Sequence, residues 1–480
     1  MNFKSIVKLQ AIILIILSFF FISTIVVGII YNEDISKLTR LIELLFGTST
    51  LILYLLRNHK INLNIKESIL SVNILWILLG VVGAIPLYLY TNIDFYGAFF
   101  ESISGFTTTG ATAYSDVEVL SHIALYHRSL IHWIGGMGII VLGVGLLSMI
   151  NPTGSLSLFR AESSGIETEK VTPRIANTAI RLWGIYIALT IANFLFLVMF
   201  GMGTFDAINH AFSTISTGGF STKNSSIGFY DSYSILWVTI LFMLFSSVNF
   251  LATFKLLSRD FSGYKREETK LFFIIFLVLT TALTVTHYLT SSDNFDFALT
   301  HGAFTIASVM STTGFATLNY EQWGYLSISI IFLSMLTGGN TGSTAGGIKI
   351  IRHIIIFKTL SAEFKKIIHP SAIVSVFINS QKVQTRILIS TFGFVFLYIF
   401  TILSISIYLY SNGYDEMSSI FTAIATVGNI GPGFALTGPA QNYSFFSSMD
   451  KVILSIGMII GRLEFYTFLI LFSRSFWKRF

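Results

Sequence analysis

The amino-acid sequence predicts an all-α integral membrane protein, and three observations lead to this prediction. Hydrophobic residues make up 53% of the 480 residues and charged residues only 11%, whereas soluble domains carry about 25% charged residues. The mean hydropathy is +0.74. Apolar stretches long enough to cross a hydrocarbon core of about 30 Å recur along the chain. This composition argues against a cytosolic enzyme, a nucleic-acid binder and a disordered scaffold, and the absence of cysteine excludes disulfides and thiolate chemistry.

Ten apolar segments are candidate membrane spans. They cover residues 9–31, 41–57, 67–90, 121–149, 178–201, 233–257, 271–290, 325–360 (interrupted), 386–410 and 450–473. The first segment follows two lysines, as a signal peptide would, but its apolar part is too long for one, so we count it as a helix. An even number of spans predicts that both termini lie on the same side of the membrane.

The distribution of basic residues indicates which side that is. Twenty-four of the 30 Lys and Arg residues lie between the spans or towards their ends on one alternating side, and more than half of the acids lie on the other. The positive-inside rule assigns the basic side, and with it both termini, to the cytoplasm. The acids on the outer side either attract cations to an outer mouth or are simply solvated loop residues.

One short pattern occurs four times on the predicted outer side. Each copy contains Thr, one further residue and Gly, and each follows a short apolar segment that begins near an aspartate, as helix N-termini often do. The four copies lie at 107–112, 216–222, 311–317 and 425–431, and the aspartates are Asp94, Asp206, Asp296 and Asp415. The copies are about a hundred residues apart, which indicates an internal repeat. Glycine-rich turns would explain one copy but are a poor explanation for four.

The repeat predicts four pseudo-fourfold helix–pore loop–helix units around one central pore, preceded by a two-helix extension. The predicted boundaries are 1–60 for the N-terminal extension, 61–175 for repeat 1, 176–265 for repeat 2, 266–370 for repeat 3 and 371–480 for repeat 4. Four units in one chain form a complete pore, so a tetramer is not needed.

The chemistry that this pattern suits is the dehydration of a monovalent cation. K⁺ filters replace the hydration shell of the ion with backbone carbonyls from four such loops, and glycine permits the required backbone conformations. Short helices before the loops direct the negative ends of their dipoles at the ion. We expect K⁺ to be held only by filter carbonyls, with no catalytic residue and no organic cofactor. The candidate K⁺-binding residues are Thr108, Thr109, Gly110, Thr217, Gly218, Gly219, Thr312, Thr313, Gly314, Thr426, Val427 and Gly428.

The eighth span is interrupted by a glycine-rich stretch, which is unlike a regular helix because each Gly costs about 1 kcal/mol relative to Ala there. A phosphate-binding loop would need adjacent Gly-Lys-Ser/Thr after a strand, which this stretch lacks. We expect it to line a cavity beneath the filter, although a purely structural kink remains an alternative. The candidate gate comprises residues of a gating loop at 337–348, Lys349 directly after it and Arg462 in the last span. The loop residues are Gly338, Gly339, Asn340, Thr341, Gly342, Ser343, Thr344, Ala345, Gly346 and Gly347.

Arg462 lies inside the last apolar span. An arginine at membrane depth costs at least about 2.5–3.5 kcal/mol on insertion scales, so it must face a cavity or a partner. A cation beneath the filter would raise the barrier for K⁺ in a closed state. The alternative is a buried ion pair with an acid elsewhere, for which Glu43 and Glu101 are candidates.

The four filters and the stretch His132-Trp133-Ile134-Gly135-Gly136-Met137-Gly138 resemble the ion-translocating subunits of the Trk/Ktr/HKT superfamily of K⁺ transporters, specifically the TrkH/TrkG type. The resemblance covers residues 60–480, and the N-terminal extension matches the TrkH type. It implies K⁺ uptake across a bacterial or archaeal cytoplasmic (inner) membrane, through a homodimer with a cytosolic nucleotide-binding, TrkA-like regulatory partner. It also implies an intramembrane loop, close to Arg462, that obstructs the pore and moves on gating. Filters 1 and 4 lack the aromatic residue that follows Gly in filters 2 and 3, so the ring is asymmetric.

Two other classes of protein remain as alternatives. A symporter that couples K⁺ to H⁺ or Na⁺ would need a second site at the midplane, where Glu43, Glu101 and Glu464 are the available acids. An intramembrane enzyme would need a catalytic constellation that is not evident in the spans. No nucleic-acid partner is expected, because the basic excess reflects sidedness in the bilayer.

Overall fold

The structure, a computed structural model, describes residues 1–138 and 175–478. The second half of the predicted span 121–149 and the basic link with Arg160, Lys170 and Arg174 lie outside these residues. The described helices are α1 Phe3–Ile30, α2 Ser36–Leu55, α3 Ile65–Tyr90, α4 Phe95–Phe106, α5 His122–Gly136, α6 Ile175–Met199, α7 Thr204–Ile215, α8 Tyr233–Ser247, α9 Phe250–Leu257, α10 Glu267–Thr290, α11 Phe295–Met310, α12 Tyr325–Met335, α13 Ile350–Ile368, α14 Thr385–Ser411, α15 Glu416–Val427, α16 Ser448–Arg462, α17 Tyr466–Leu469 and α18 Arg474–Trp477.

The predicted helical architecture is confirmed with one small exception. The link between α13 and α14 contains an antiparallel pair of two-residue strands, β1 Phe377–Ile378 and β2 Gln381–Lys382. The strands are joined by Asn379 and Ser380, whose φ angles of 47° and 65° suit a tight hairpin turn. The chain is therefore mostly, but not entirely, α-helical.

Six described helices are long and apolar enough to cross a membrane, namely α1, α2, α3, residues 180–199 of α6, α10 and α14. Two further predicted spans are sharply bent. The chain bends by 111° between α8 and α9, and by 113° between α16 and the segment 466–472. Asn249 explains the first bend, because its side chain caps the new helix by accepting hydrogen bonds from the amides of Leu251 and Ala252. The chain is a multi-pass membrane protein, and the exact number of ten spans stays a prediction.

A repeated packing unit organises the described helices. A long helix packs against the short helix that follows it in four places: α3 on α4, α6 on α7, α10 on α11 and α14 on α15. The helix after a loop also packs on the next short helix, as α5 does on α7 and α8 on α11. Because α16 packs on α4, the last unit contacts the first, and the arrangement closes on itself.

The short helices begin where the aspartates predict. Asp94 and Asp415 cap α4 and α15 by accepting hydrogen bonds from Gly97 and Ser418 amides, at 3.2 and 3.0 Å. Asp206 and Asp296 lie in the first turns of α7 and α11. Negative charge at this end is favourable to the helix dipole, and it leaves the opposite, negative end of each helix to lead into the following loop.

Candidate ion pore

The same backbone conformation follows each of the four short helices. The first residue beyond the helix cap has a left-handed φ of 54–56°, and a glycine two positions later has a φ of 81–95°. The first set is Thr108, Thr217, Thr312 and Asn429, and the second is Gly110, Gly219, Gly314 and Gly431. Left-handed φ is costly for most residues and is accepted most readily by glycine. Four unrelated turns would not share it, so the loops are copies of one structure.

The four glycines lie in a ring in which each one contacts the next loop. A Cβ atom added to any of them would lie less than 3.0 Å from a backbone carbonyl oxygen of the neighbouring loop. The pairs are Gly110 with the oxygen of Gly218, Gly219 with that of Thr313, Gly314 with that of Ile430, and Gly431 with that of Thr109. The contacts run in chain order and return from the fourth loop to the first, so the four loops form a closed ring with a backbone carbonyl oxygen at each contact.

The structure corrects the register predicted for the fourth loop. Thr426 and Val427 are the last residues of α15, and Gly428 is its helix cap with a φ of −76°. The residues that correspond to Thr108, Thr109 and Gly110 are instead Asn429, Ile430 and Gly431. The pattern Thr-x-Gly was misleading here because Thr426 is a helical residue, while asparagine tolerates the left-handed conformation that threonine adopts in the other loops.

The register can be tested by replacing Gly431 with alanine. We expect Gly431→Ala to lose cation selectivity, because its Cβ would lie 2.6 Å from the Thr109 oxygen. Gly413 is the matched control, since its φ is +93° but no atom lies within 4 Å of an added Cβ. Selectivity is measured as the K⁺/Na⁺ permeability ratio in liposomes. Normal selectivity in Gly431→Ala would contradict the corrected register.

A cavity of about 120 Å³ opens over this ring. All four glycines of the ring line it, together with residues of the loops that follow them. Asn224 joins two of these loops by accepting from the Val117 amide at 2.9 Å and donating to Asp116 at 2.7 Å. The bond from Asn224 also lowers the pKa of Asp116 from its usual value. Asp116 lies between Ser115 and Val117, which both line the cavity.

The helices that follow the first and fourth loops approach the short helices very closely. A Cβ on Gly135 of α5 would lie less than 3.0 Å from the Phe106 oxygen, and one on Gly461 of α16 equally close to the Val427 oxygen. These two carbonyls occupy equivalent positions, directly before the helix caps. Glycine is thus required twice, for the same reason, at the inner side of the ring.

The stretch between α12 and α13 is irregular backbone packed against the inner side of the ring. Its position is held by several neighbours: Asn340 donates its amide to the Ser247 oxygen at 2.8 Å, and the Gly346 amide donates to Thr312 Oγ1 at 2.6 Å. A Cβ on Gly346 would lie 2.7 Å from the Gly428 oxygen. The candidate gating loop therefore touches the third and fourth loops directly.

Glu268 and Asn249 also bind this stretch. The Thr341 amide and hydroxyl both donate to Glu268 Oε1, at 2.6 and 3.0 Å, and Asn249 Nδ2 donates to the Thr341 oxygen at 2.7 Å. Lys349, at the end of the stretch, is buried and donates to the Ala345 oxygen. Several backbone polar groups of the loop thus have hydrogen-bond partners in the protein, which irregular backbone at membrane depth requires.

Arg462 is the last residue of α16 and contacts the candidate gating loop. Its guanidinium donates to the Thr344 oxygen at 2.9 Å, and to the oxygens of Gly135 and Gly136 at 2.9 and 3.2 Å. It therefore joins the loop to the end of α5, on the inner side of the ring. This contact agrees with the closeness of Arg462 to the loop that the family resemblance implies.

The acids suggested as alternative partners of Arg462 lie in other surroundings. Glu101 is paired with Arg128 at 2.7 Å, and Glu43 is exposed on α2. Glu464, in the bend after α16, is paired with Arg352 of α13. Glu101 was the wrong partner, because it is paired with Arg128, another arginine within a predicted span and almost fully buried. Arg128 was overlooked, although the reasoning applied to Arg462 would have identified it too.

A multi-pass membrane chain in which four equivalent loops form one closed ring is typical of the class of cation transport proteins. The family model TrkH, described as "Cation transport protein", matches residues 34–479. The chain therefore belongs to the TrkH family.

Individual relatives agree with this assignment. The chain is 36% identical to the Trk system potassium uptake protein TrkH of Salmonella typhimurium over 488 residues, covering 100% of both chains. It is 36% identical to TrkG of Escherichia coli over 431 residues, 88% of each. The crystal structure of the potassium transporter TrkH from Vibrio parahaemolyticus is similar, with a TM-score of 0.89 and 31% identity over 100% of both chains.

Proposed function

We propose that this chain is the K⁺-conducting subunit of a potassium uptake system in a bacterial or archaeal cytoplasmic membrane. The observation that supports this most strongly is the closed ring of glycine–carbonyl contacts between the four loops. The matched relatives are named potassium uptake proteins and potassium transporter, which supports K⁺ as the ion. Both termini are proposed to lie in the cytoplasm, with ten spans in the complete fold.

The proposed filter binds K⁺ through backbone oxygens that replace its water. In the first three loops these are the oxygens of Thr108, Thr109, Thr217, Gly218, Thr312 and Thr313, each set followed by its ring glycine. In the fourth loop Asn429 and Ile430 take this role, followed by Gly431. The side chains that follow the ring glycines differ among the loops (Ala111, Phe220, Phe315 and Pro432), so the outer rim is asymmetric.

The proposed gate is the irregular stretch 337–348 together with Arg462. It lies on the inner side of the ring, and a positive charge there opposes the passage of K⁺. Opening requires the contacts of the loop with Thr312, Glu268 and Arg462 to be exchanged for others. We propose that a homodimer and a cytosolic nucleotide-binding partner drive this exchange, because the chain has no nucleotide-binding motif of its own.

The three acids considered for the coupling site of a symporter are either paired with an arginine or exposed. Glu101 and Glu464 are each paired with an arginine, and Glu43 is exposed on α2. A coupling site must exchange its cation during transport, which a carboxylate held by arginine does poorly. We therefore propose uncoupled conduction.

Current through purified protein in planar bilayers or liposomes tests this proposal. We expect a current that reverses at the K⁺ equilibrium potential and that does not shift when a pH or Na⁺ gradient is imposed. Protein-free liposomes are the control. A reversal potential that follows the pH gradient would instead establish coupling to H⁺, and an absence of K⁺ flux in every condition would contradict the proposed function.

A further prediction concerns the hydrogen bonds that Glu268 accepts from the candidate gating loop. We expect Glu268→Gln to raise basal K⁺ flux severalfold, because a charge-assisted hydrogen bond is worth about 1.5–3 kcal/mol and Gln offers a weaker acceptor to Thr341. Tracer ⁸⁶Rb⁺ uptake into liposomes measures the effect. Glu363→Gln, which removes an exposed pair with Lys366, is the control and should leave uptake unchanged. Equal uptake in both variants would show that the contact does not restrain the loop.

A further inference from the structure

A buried pair of opposite charges lies directly behind two of the four filter loops. Glu101 of α4 is fully buried and Arg128 of α5 is 2% exposed, and Arg128 Nε lies 2.7 Å from Glu101 Oε1. Both belong to the first repeat, 27 residues apart. Charges are seldom buried this completely unless they are paired and hydrogen-bonded.

The remaining polar atoms of the pair bind the segments that leave the ring. Glu101 accepts hydrogen bonds from the Ala113 amide at 2.7 Å and from Thr112 Oγ1 at 3.1 Å, both just beyond Gly110. Arg128 Nη1 donates to the Ser221 oxygen at 3.1 Å, two residues beyond Gly219. The pair therefore holds the outer segment of the first loop and that of the second in one network.

Arg128 also fixes an aromatic ring beside the second filter. Its guanidinium carbon lies 4.2 Å from the ring centre of Phe220, which stacks on His132 at 3.9 Å. Arg128 lines the outer cavity, so its charge stands next to the ion path. Glu101 offsets that charge, since a lone arginine there would repel incoming cations.

None of the other repeats has a carboxylate at the position of Glu101. Counting back six residues from each helix cap leads to His210 in the second repeat and Thr422 in the fourth. His210 Nε2 lies 2.8 Å from Ser221 Oγ, and Thr422 Oγ1 lies 3.0 Å from Thr437 Oγ1. Each side chain thus braces the segment after its own filter, and the first repeat does so with a charged pair that extends to the second.

We infer that Glu101 and Arg128 are positioning residues that set the spacing of the first and second filters and thereby their selectivity for K⁺ over Na⁺. This inference rests on the proposed function, because it assigns a role to residues behind the proposed filter. The carbonyls of a filter discriminate between ions by their number and arrangement. Loosening one side of the ring lets its oxygens approach the smaller Na⁺.

Reversal potentials under mixed K⁺ and Na⁺ gradients test this role. We expect Glu101→Gln and Arg128→Gln each to lower the K⁺/Na⁺ permeability ratio about tenfold, equivalent to roughly 1.4 kcal/mol. Glu101→Gln should also lower K⁺ conductance, since Arg128 then keeps an uncompensated charge beside the ion path, whereas Arg128→Gln should not. A role limited to folding would reduce the amount of active protein without moving the permeability ratio.

Gln10→Met is the matched control, because Gln10 is also buried and donates to the Ser71 oxygen at 2.9 Å, far from the loops. Its permeability ratio should equal that of the unmodified protein. If the single variants fail to fold, the double variant Glu101→Gln, Arg128→Gln removes both charges at once and should fold with reduced selectivity. A normal ratio in the variants that fold would overturn the inference. A lack of K⁺ selectivity in the unmodified protein would instead contradict the proposed function.

Discussion

Gly219→Ala is expected to abolish the preference for K⁺ over Na⁺. At a φ of +83°, an added Cβ would point at the Thr313 oxygen, closer than real Cβ contacts allow. A residue other than glycine also pays about 1–2 kcal/mol for the left-handed conformation. The loop must therefore shift away from the ring, and the carbonyls of two neighbouring loops lose their common geometry. We expect the K⁺/Na⁺ permeability ratio to fall by at least about tenfold, since 1.4 kcal/mol already corresponds to that factor.

The matched control is Gly201→Ala. Gly201 has a φ of +98°, but no atom lies within 4 Å of an added Cβ. It shares the backbone strain of Gly219 without the contact to the next loop, so this variant should lose some stability and keep its selectivity. If both variants lose selectivity equally, backbone strain and not the ring contact is responsible.

The second large effect is expected at Arg462. Arg462→Ala should raise K⁺ flux in the absence of any partner, because it removes both the charge below the ring and three hydrogen bonds to backbone oxygens. Each such bond from a charged donor contributes about 1.5–3 kcal/mol. An increase of tenfold or more in ⁸⁶Rb⁺ uptake into liposomes is therefore expected, where tenfold corresponds to about 1.4 kcal/mol.

Arg462→Lys separates the two contributions. Lysine keeps the charge, but its single ammonium nitrogen cannot replace the two guanidinium nitrogens that donate separately to the Thr344 and Gly135 oxygens. An intermediate flux would assign part of the barrier to hydrogen bonding. Arg386→Ala, at the exposed start of α14, is the control. Unchanged uptake in Arg462→Ala would contradict the gate.

Much of the fold could be predicted because the lipid environment restricts the possibilities so strongly. Long apolar stretches must form helices there, since every backbone polar group needs a partner. The first three loops share one backbone conformation at the residues that the pattern picks out, because Thr and Gly occupy the same two positions in each. The bend after Ser247 was not predicted, although Asn249 is a typical helix cap and was a usable signal.

Two features of the candidate pore could not be predicted from the Thr-x-Gly pattern. In the fourth loop the residue with the left-handed φ is Asn429, whereas the other loops have Thr there. The nearby Thr426 matches the Thr-x-Gly pattern but belongs to the helix. What defines this loop is a pair of φ angles, which a search for residue types does not detect. The network of Glu101 and Arg128 depends on the proximity of α4, α5 and the second loop, and only the folded structure brings Ser221 to Arg128.

The contact between Gly431 and Thr109 has a consequence for synthesis of the chain. Asn429 Nδ2 also donates to Thr109 Oγ1 at 2.9 Å, across 320 positions. A ribosome releases the N-terminal part into the membrane first, so the first loop has no neighbour on this side until the last quarter of the protein is made. A partly synthesised chain therefore has no complete ring of loops, and we expect a truncated product to lack ion selectivity.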